Sequence, residues 1–152
     1  MRIRRYREGD REAVRRLHDE ALYDVGAHLG EGPWDEDLDR IEEEYLHGGG
    51  EFLVGEMGGR VVAMGALKRD SSEQAELKRM RVEPALQRQG MGRSMLAALE
   101  ERVREIGYSA LYLDTAVHQT GARRLYASNG YRETGRGRIG PFDCVFYEKE
   151  LA

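Results

Sequence analysis

The chain has 152 residues, 40% hydrophobic and 34% charged, enough for a single domain over residues 1–152 with a packed core. A net charge of −4 argues against a broad nucleic-acid-binding face, and no apolar run approaches the ~20 residues that cross a bilayer, so neither nucleic acid nor membrane is expected as a partner. The one cysteine, Cys144, excludes an intramolecular disulfide. With an N-terminal MRIRRYREGD that lacks a signal peptide's apolar stretch, it points to a reducing cytoplasm.

In chain order, residues 2–7 (RIRRYR) read as a short strand anchored by Ile3. Asp10 suits the N-cap of a first helix, whose buried stripe is Val14, Leu17, Ala21 and Leu22. A loop from Gly26 precedes a second helix capped by Asp35, with Leu38, Ile41 and Tyr45 facing inward, stopped by Gly48-Gly49-Gly50. Residues 51–56 and 61–68 form a hairpin around Met57-Gly-Gly-Arg60. The next strand spans about 74–82. Its apolar alternation slips phase, with Leu77 on one side and Met80 and Val82 on the other, which predicts a β-bulge. A helix with Leu96, Leu99, Val103 and Ile106 on one face ends at the C′ glycine Gly107. Residues 110–117 are a mostly apolar strand, 119–129 a short helix, and 131–136 and 142–151 the last two strands, joined by a loop holding Gly137, Gly140 and Pro141. The order is βααβββαβαββ: an α/β (α+β) fold of about seven strands and about four helices.

The segment Leu77–Leu99 organises the rest. A strand ended by Pro84 runs into Gln87-Arg88-Gln89-Gly90-Met91-Gly92 and then a helix. Amides at a helix start lack intrahelical partners, and glycine lets an anion approach them closely, so this turn suits a phosphate or pyrophosphate. It is not a Walker A loop, and Met95 stands where a dinucleotide fingerprint needs its third glycine. What fits is Q/R-x-x-G-x-G/A after a strand. Residues 75–93, with the run Ala122–Tyr131 (ARRLYASNGY) about 30 residues later, resemble the acetyl-CoA signature of the GCN5-related N-acetyltransferase (GNAT) family. The element order is also similar to that family's, so the resemblance covers essentially the whole chain. It implies a mixed, mostly antiparallel sheet whose strands splay at the acetyl-CoA site.

The resemblance implies acetyl-CoA as co-substrate, and no metal-ligand spacing is visible in the sequence. Gln87, Arg88, Gln89, Gly90, Met91, Gly92 and Arg93 would hold the pyrophosphate. Backbone groups around Met80, Arg81 and Val82 would bond pantetheine, with one bulge amide polarising the acetyl carbonyl. Gln119 stands where the family often has asparagine, keeping the amide with one methylene more. Tyr126 falls at the family's general acid, a phenol able to protonate the leaving thiolate. A base is also needed, because an alkylamine of pKa near 10 is only about 0.1% neutral at pH 7. Glu76 is the first candidate, acting directly or through water, and His118 the alternative; Glu76 equally fits a solvated strand position, His118 a structural one, and Asp114 could orient neighbours. Tyr23, His28 and Trp34 are candidate acceptor-cleft residues, although Trp34 also fits a plug for its loop. The acidic segment Glu31–Glu44 either steers a cationic amine or is a solvated helix face. Cys144, alternating with Phe142 and Phe146, reads as a buried sheet thiol. The expected activity is transfer of acetyl to a primary amine of a small molecule or peptide; the alternative is a non-catalytic acyl-CoA-binding module with a regulatory role. Dimers are common in the family, so a homodimer is compatible.

Overall fold

Seven strands form one sheet in the computed structural model, which describes residues 1–30 and 32–151. They are β1 (Arg2–Arg5), β2 (Glu51–Met57), β3 (Arg60–Arg69), β4 (Gln74–Val82), β5 (Ala110–Ala116), β6 (Arg132–Ile139) and β7 (Phe142–Glu150). Spatial order is β1-β2-β3-β4-β5-β7-β6, antiparallel except for β4 against β5. The α-helices are α1 (Arg11–Asp24), α2 (Met91–Ile106) and α3 (Thr120–Ser128). No helix of the described residues is long and apolar enough to cross a membrane.

The sheet is covered on both sides, so β2 and β3 read as nearly continuous buried runs. Alternation along β2 divides the core: Leu53 joins Met95, Leu96 and Leu99 of α2, whereas Phe52 and Val54 join Leu17, Leu38, Ile41 and Tyr45 on the other face. Gly58 (φ +57°) and Gly59 (φ +78°) make the two-residue turn between β2 and β3, both in the left-handed region a primed hairpin turn requires.

The phase slip in β4 is a bulge. Met64 pairs with Arg81 and Ala66 with Lys78, so two β4 residues, Arg79 and Met80, stand opposite one on β3. Arg79 adopts φ +59°, which a non-glycine residue takes only at a cost. On the other edge β4 pairs with β5 only at Gln74–Glu76, although β4 continues to Val82 and β5 to Ala116. Beyond Glu76 the two strands diverge, and that edge of β4 has no ladder partner there.

Residues 33–46 depart from the expected helix. Pro33–Asp39 form a 3-10 helix and Glu42–Leu46 a π-helical turn. The cause is Arg79. Its Nε and Nη2 donate to both Asp37 oxygens (3.0 and 2.6 Å), Nη1 to Asp35 Oδ1 (3.2 Å) and Nη2 to the Trp34 carbonyl (2.7 Å). Residues two apart point to nearly opposite sides of an α-helix. Asp35 and Asp37 cannot both meet one guanidinium from an α-helix, and the tighter turn lets them. Two smaller expectations also change. Asp10 does not cap α1 with its side chain; it accepts a bidentate pair from Arg4 (2.7 and 2.8 Å) and the Arg7 N–H (2.9 Å). β6 runs through Gly137 to Ile139, because an absent Cβ at Gly137 lets the Phe146 ring lie over the strand, 3.1 Å from where that atom would be.

Behind the clamp lies His18, fully buried, with Nε2 3.1 Å from Asp35 Oδ1 but out of line for a hydrogen bond. Burial pushes its pKa down to about 4; the charges of Arg81 and Arg79 act the same way, and Asp35 opposes them.

Removing Arg79 should leave two carboxylates facing each other without their cation. Arg79→Ala is expected to lower stability by about 3 kcal/mol, read as a lower urea midpoint, and adding Asp37→Asn should recover part of the loss. His18 is neutral when folded and takes up its proton on unfolding between pH 6.5 and about 4, so its contribution is full above pH 6.5 and is lost as pH falls. Between pH 7 and pH 5 wild type should lose on the order of 2 kcal/mol more than His18→Leu. Parallel pH dependences of the two proteins in urea titrations would disprove this.

Candidate active site

The turn before α2 is built from left-handed residues. Arg88 (φ +65°) and Gly90 (φ +84°) swing the chain from the 3-10 turn Pro84–Leu86 into the helix. No side chain caps α2. Its first closing bond runs from Ser94 N–H to the Gly90 carbonyl (3.0 Å), so the N–H groups of Met91, Gly92 and Arg93 have no intrahelical acceptor. At Gly92 an added Cβ would lie 3.3 Å from Leu125 Cδ2 and 3.8 Å from Val82 Cγ2; glycine lets α2 begin tight against α3 and β4. Gln87 Nε2 donates to the Val82 carbonyl (3.2 Å), tying the turn back to the end of β4.

These amides open on a cavity of about 590 Å³. Met80, Arg81, Val82, Gln87, Arg88, Gly90, Met91, Gly92, Arg93, Gln119 and Tyr126 all line it; of the expected ligand-binding set only Gln89 does not. Three exposed arginines, Arg88, Arg93 and Arg124, surround it, none within ion-pair range of a carboxylate among the described residues. Such a rim favours a polyanion. Arg124 escapes sequence reading because nothing in the local pattern separates it from Arg123, which turns inward to the Val117 carbonyl (3.2 Å).

A second cavity, about 330 Å³, includes Trp34, Glu76, Lys78, Arg79, Asp114 and Cys144 in its lining. The two cavities share Leu22, Met80, Arg81, Gln119, Ala122 and Tyr126, so they meet at the bulge and at α3. Tyr126 is held edge-on by Tyr131 (centroids 5.6 Å apart, 65°) and tilted against Tyr147 (6.0 Å, 46°). Its hydroxyl makes no hydrogen bond to the described residues. Burial pushes its pKa up to about 12; Arg81 opposes and Asp114 adds to the shift. The phenol is therefore protonated at neutral pH. Glu76 is half-buried, with the Tyr112 hydroxyl 3.4 Å from Oε1. Burial raises its pKa, Lys78 pulls it back and Asp114 pushes it further up. Asp114 is itself raised by loss of solvent, against Lys78. Cys144 is buried with its thiol pushed up, as expected of a sheet thiol.

Of the other candidates, His118 lines the larger cavity and Trp34 the smaller. Tyr23 and His28 line neither cavity: their rings stack on each other at 4.0 Å, and His28 is engaged with Asp19 (2.9 Å) and the Gly30 N–H (2.8 Å). His118 Nε2 sits 3.0 Å from the Val25 carbonyl, which can only accept, so this nitrogen donates and ties the end of α1 down. Part of the acidic segment is paired: Asp35 and Asp37 with Arg79, Asp39 with Arg11 and Arg15, Glu44 with Lys68 and Arg40. Glu31 lies outside the described residues. Glu36, Glu42 and Glu43 are exposed and make no ion pair among the described residues, so the segment keeps part of its negative charge. His18, Asp19 and Asp35 come within metal-ligand range of one another, but Asp35 already accepts from Arg79 and Asp19 is 2.9 Å from His28.

Residues 11–131 match the model of the acetyltransferase (GNAT) family. The chain is 37% identical over 105 residues to the IAA acetyltransferase of Azospirillum brasilense, covering 66% of this chain and 67% of that protein. It is 32% identical over 132 residues to human N-acetyltransferase 8, covering 78% of this chain but only 56% of that relative. Among solved structures, a GNAT-family acetyltransferase of Staphylococcus aureus Mu50 superposes with a TM-score of 0.91 at 23% identity over 99% of both chains. The yncA protein of Salmonella typhimurium, solved with its cofactor acetyl-CoA, gives 0.81 at 22% identity over 100% of this chain and 94% of that one. With the splayed β4–β5 pair, the bulge and the uncapped glycine turn, these matches establish that the chain belongs to the GNAT acetyltransferase family.

Proposed function

We propose that this protein transfers an acetyl group from acetyl-CoA directly to a primary amine of a small molecule or peptide. The observation that carries this reading is the meeting of two cavities at the β4 bulge, beside a Tyr126 hydroxyl free to donate. Acetyl-CoA supplies the activated acetyl group as a thioester. The residues present fit it: free α2 amides for the pyrophosphate, the arginine rim for the remaining phosphate charge, and an unpaired β4 edge for the amide-bearing arm.

Each residue then has a task. The bulge around Met80 presents a fixed backbone amide to the carbonyl oxygen; fixed donors of this type are worth about 10²–10³ in rate. Tyr126, protonated at neutral pH as any phenol is, gives its proton to the departing sulfur. Glu76, kept from full solvation, draws the proton from the attacking amine, directly or through water.

Tyr126→Phe keeps the ring and removes the proton. It should lower kcat about 100-fold and leave acetyl-CoA affinity within roughly twofold. An unchanged kcat across an amine panel would remove Tyr126 as the acid. Tight acetyl-CoA binding with no turnover on any amine would indicate a regulatory module instead. For an alkylamine acceptor, log(kcat/KM) should rise with slope 1 towards neutral pH and steepen to slope 2 below the Glu76 pKa. Lys78→Met removes the charge that lowers this pKa and should move the break upward; Asp114→Asn should move it downward. The break should vanish in Glu76→Gln.

A further inference from the structure

The second cavity contains a cation that no protein anion answers directly. Arg81 Nη1 donates to the Met80 carbonyl of its own strand (2.8 Å), and its Nε is buried without a partner. No ion pair to Arg81 occurs among the described residues. Asp35 and Asp37 attract it at longer range, but Asp35 Oδ1 and both Asp37 oxygens are engaged by Arg79, and Asp37 accepts from Tyr45 as well. Burial and the like charge of Arg79 pull the Arg81 pKa down to about 10, which still leaves it charged at neutral pH. A guanidinium has five N–H donors in a planar fork, and here one is used within the protein.

Its position narrows the ligand. Arg81 follows Met80, beside the bulge, and lines both cavities. The second cavity also carries Glu76 and Asp114, both with raised pKa and neither ion-paired. One part of the cavity is therefore suited to a proton-bearing amine and another to an anion. A plain amine would leave the buried guanidinium unanswered, whereas a carboxylate matches its fork in two parallel hydrogen bonds.

We propose that the acceptor is an amino acid or similar compound carrying a carboxylate beside its amine, and that Arg81 binds that carboxylate. The inference rests on the acetyl-transfer reading above and sharpens its acceptor class. The same fork could take the free carboxylate of a dicarboxylic acyl group on the donor, and the test separates the two.

Matched pairs, each an amino acid and its decarboxylated amine (L-phenylalanine and phenethylamine, L-methionine and 3-methylthiopropylamine), are assayed with acetyl-CoA. Wild type should prefer the carboxylate-bearing member by at least tenfold in kcat/KM for at least one pair. In Arg81→Gln that ratio should fall to within threefold of one, and Arg81→Lys should retain part of it. Using ratios keeps the outcome independent of a general loss of activity. Equal use of both members by wild type, or an equal loss on both in Arg81→Gln, overturns the proposal while leaving acetyl transfer intact. An Arg81-dependent preference for succinyl-CoA over acetyl-CoA with simple amines places the carboxylate on the donor and also overturns it. Should no acceptor turn over, the acetyl-transfer reading fails by itself. Binding of N-acetyl-L-phenylalanine against N-acetylphenethylamine by calorimetry, in wild type and Arg81→Gln with CoA present, then decides the Arg81 question: an Arg81-dependent preference for the acid supports it, and none overturns it.

Discussion

A left-handed residue in the middle of a β-strand holds this structure open. Arg79 adopts a backbone conformation that costs of order 1–3 kcal/mol for a non-glycine side chain. Its guanidinium offsets that cost with four hydrogen bonds to Trp34, Asp35 and Asp37. The strain and the bonds have one consequence. Arg79 and Met80 stand out of register with β3, and β4 turns away from β5 after Glu76. Were β4 regular, its far edge could continue to pair with β5 and the space between them would close. The same bonds fasten the 33–39 segment to the bulge, so a wall of the second cavity and the strand presenting the bulge amide are one mechanical unit.

Charge is distributed around that unit in two different ways. The larger cavity is rimmed by exposed arginines and by helix-start amides, all favouring negative charge and all still reached by solvent. Screening makes each such contact modest, so binding there depends on their number and on the backbone amides. The smaller cavity contains charges partly removed from water: Glu76 raised, Arg81 lowered, Tyr126 raised. Loss of solvent pushes each group towards its neutral form. For Tyr126 this reinforces the protonation that a phenol already has at neutral pH. For Glu76 it favours the protonated carboxyl, against the pull of Lys78.

Much of this was legible in residue order. The phase change between Leu77 and Met80 located the bulge because strand alternation has a period of two and one extra residue reverses it. Gly90 and Gly92 located the turn because a left-handed entry and a close approach each leave a glycine behind. The structure departs from expectation where the deciding partner is distant. The 33–46 segment has a helical apolar pattern, but Asp37 answers to Arg79, 42 residues away, and no local rule contains that distance. Tyr23 and His28 suit a cleft by position along the chain, yet five residues apart they stack on each other as α1 gives way to its loop. His118 lines the larger cavity, but the Val25 carbonyl that engages its Nε2 is visible only once α1 has been placed against the end of β5.

The buried ionic cluster around Asp35, Asp37 and Arg79 is a poor way to stabilise a domain. Apolar residues of the same volume commonly do as well or better, because two carboxylates and a guanidinium must first be stripped of water. What apolar packing cannot supply is direction. A methyl group fills space equally well over a range of orientations, whereas a guanidinium bonded to both oxygens of Asp37, one of Asp35 and a main-chain carbonyl is fixed in rotation and in depth. The residue fixed in this way carries the strained backbone torsion, and its neighbours Met80 and Arg81 line the junction of the two cavities. The cluster therefore makes most sense as a device that converts binding energy inside the fold into position at the bulge. The buried neutral His18 fits the same view, since a second charge behind Asp35 would weaken the hold of Arg79 on it.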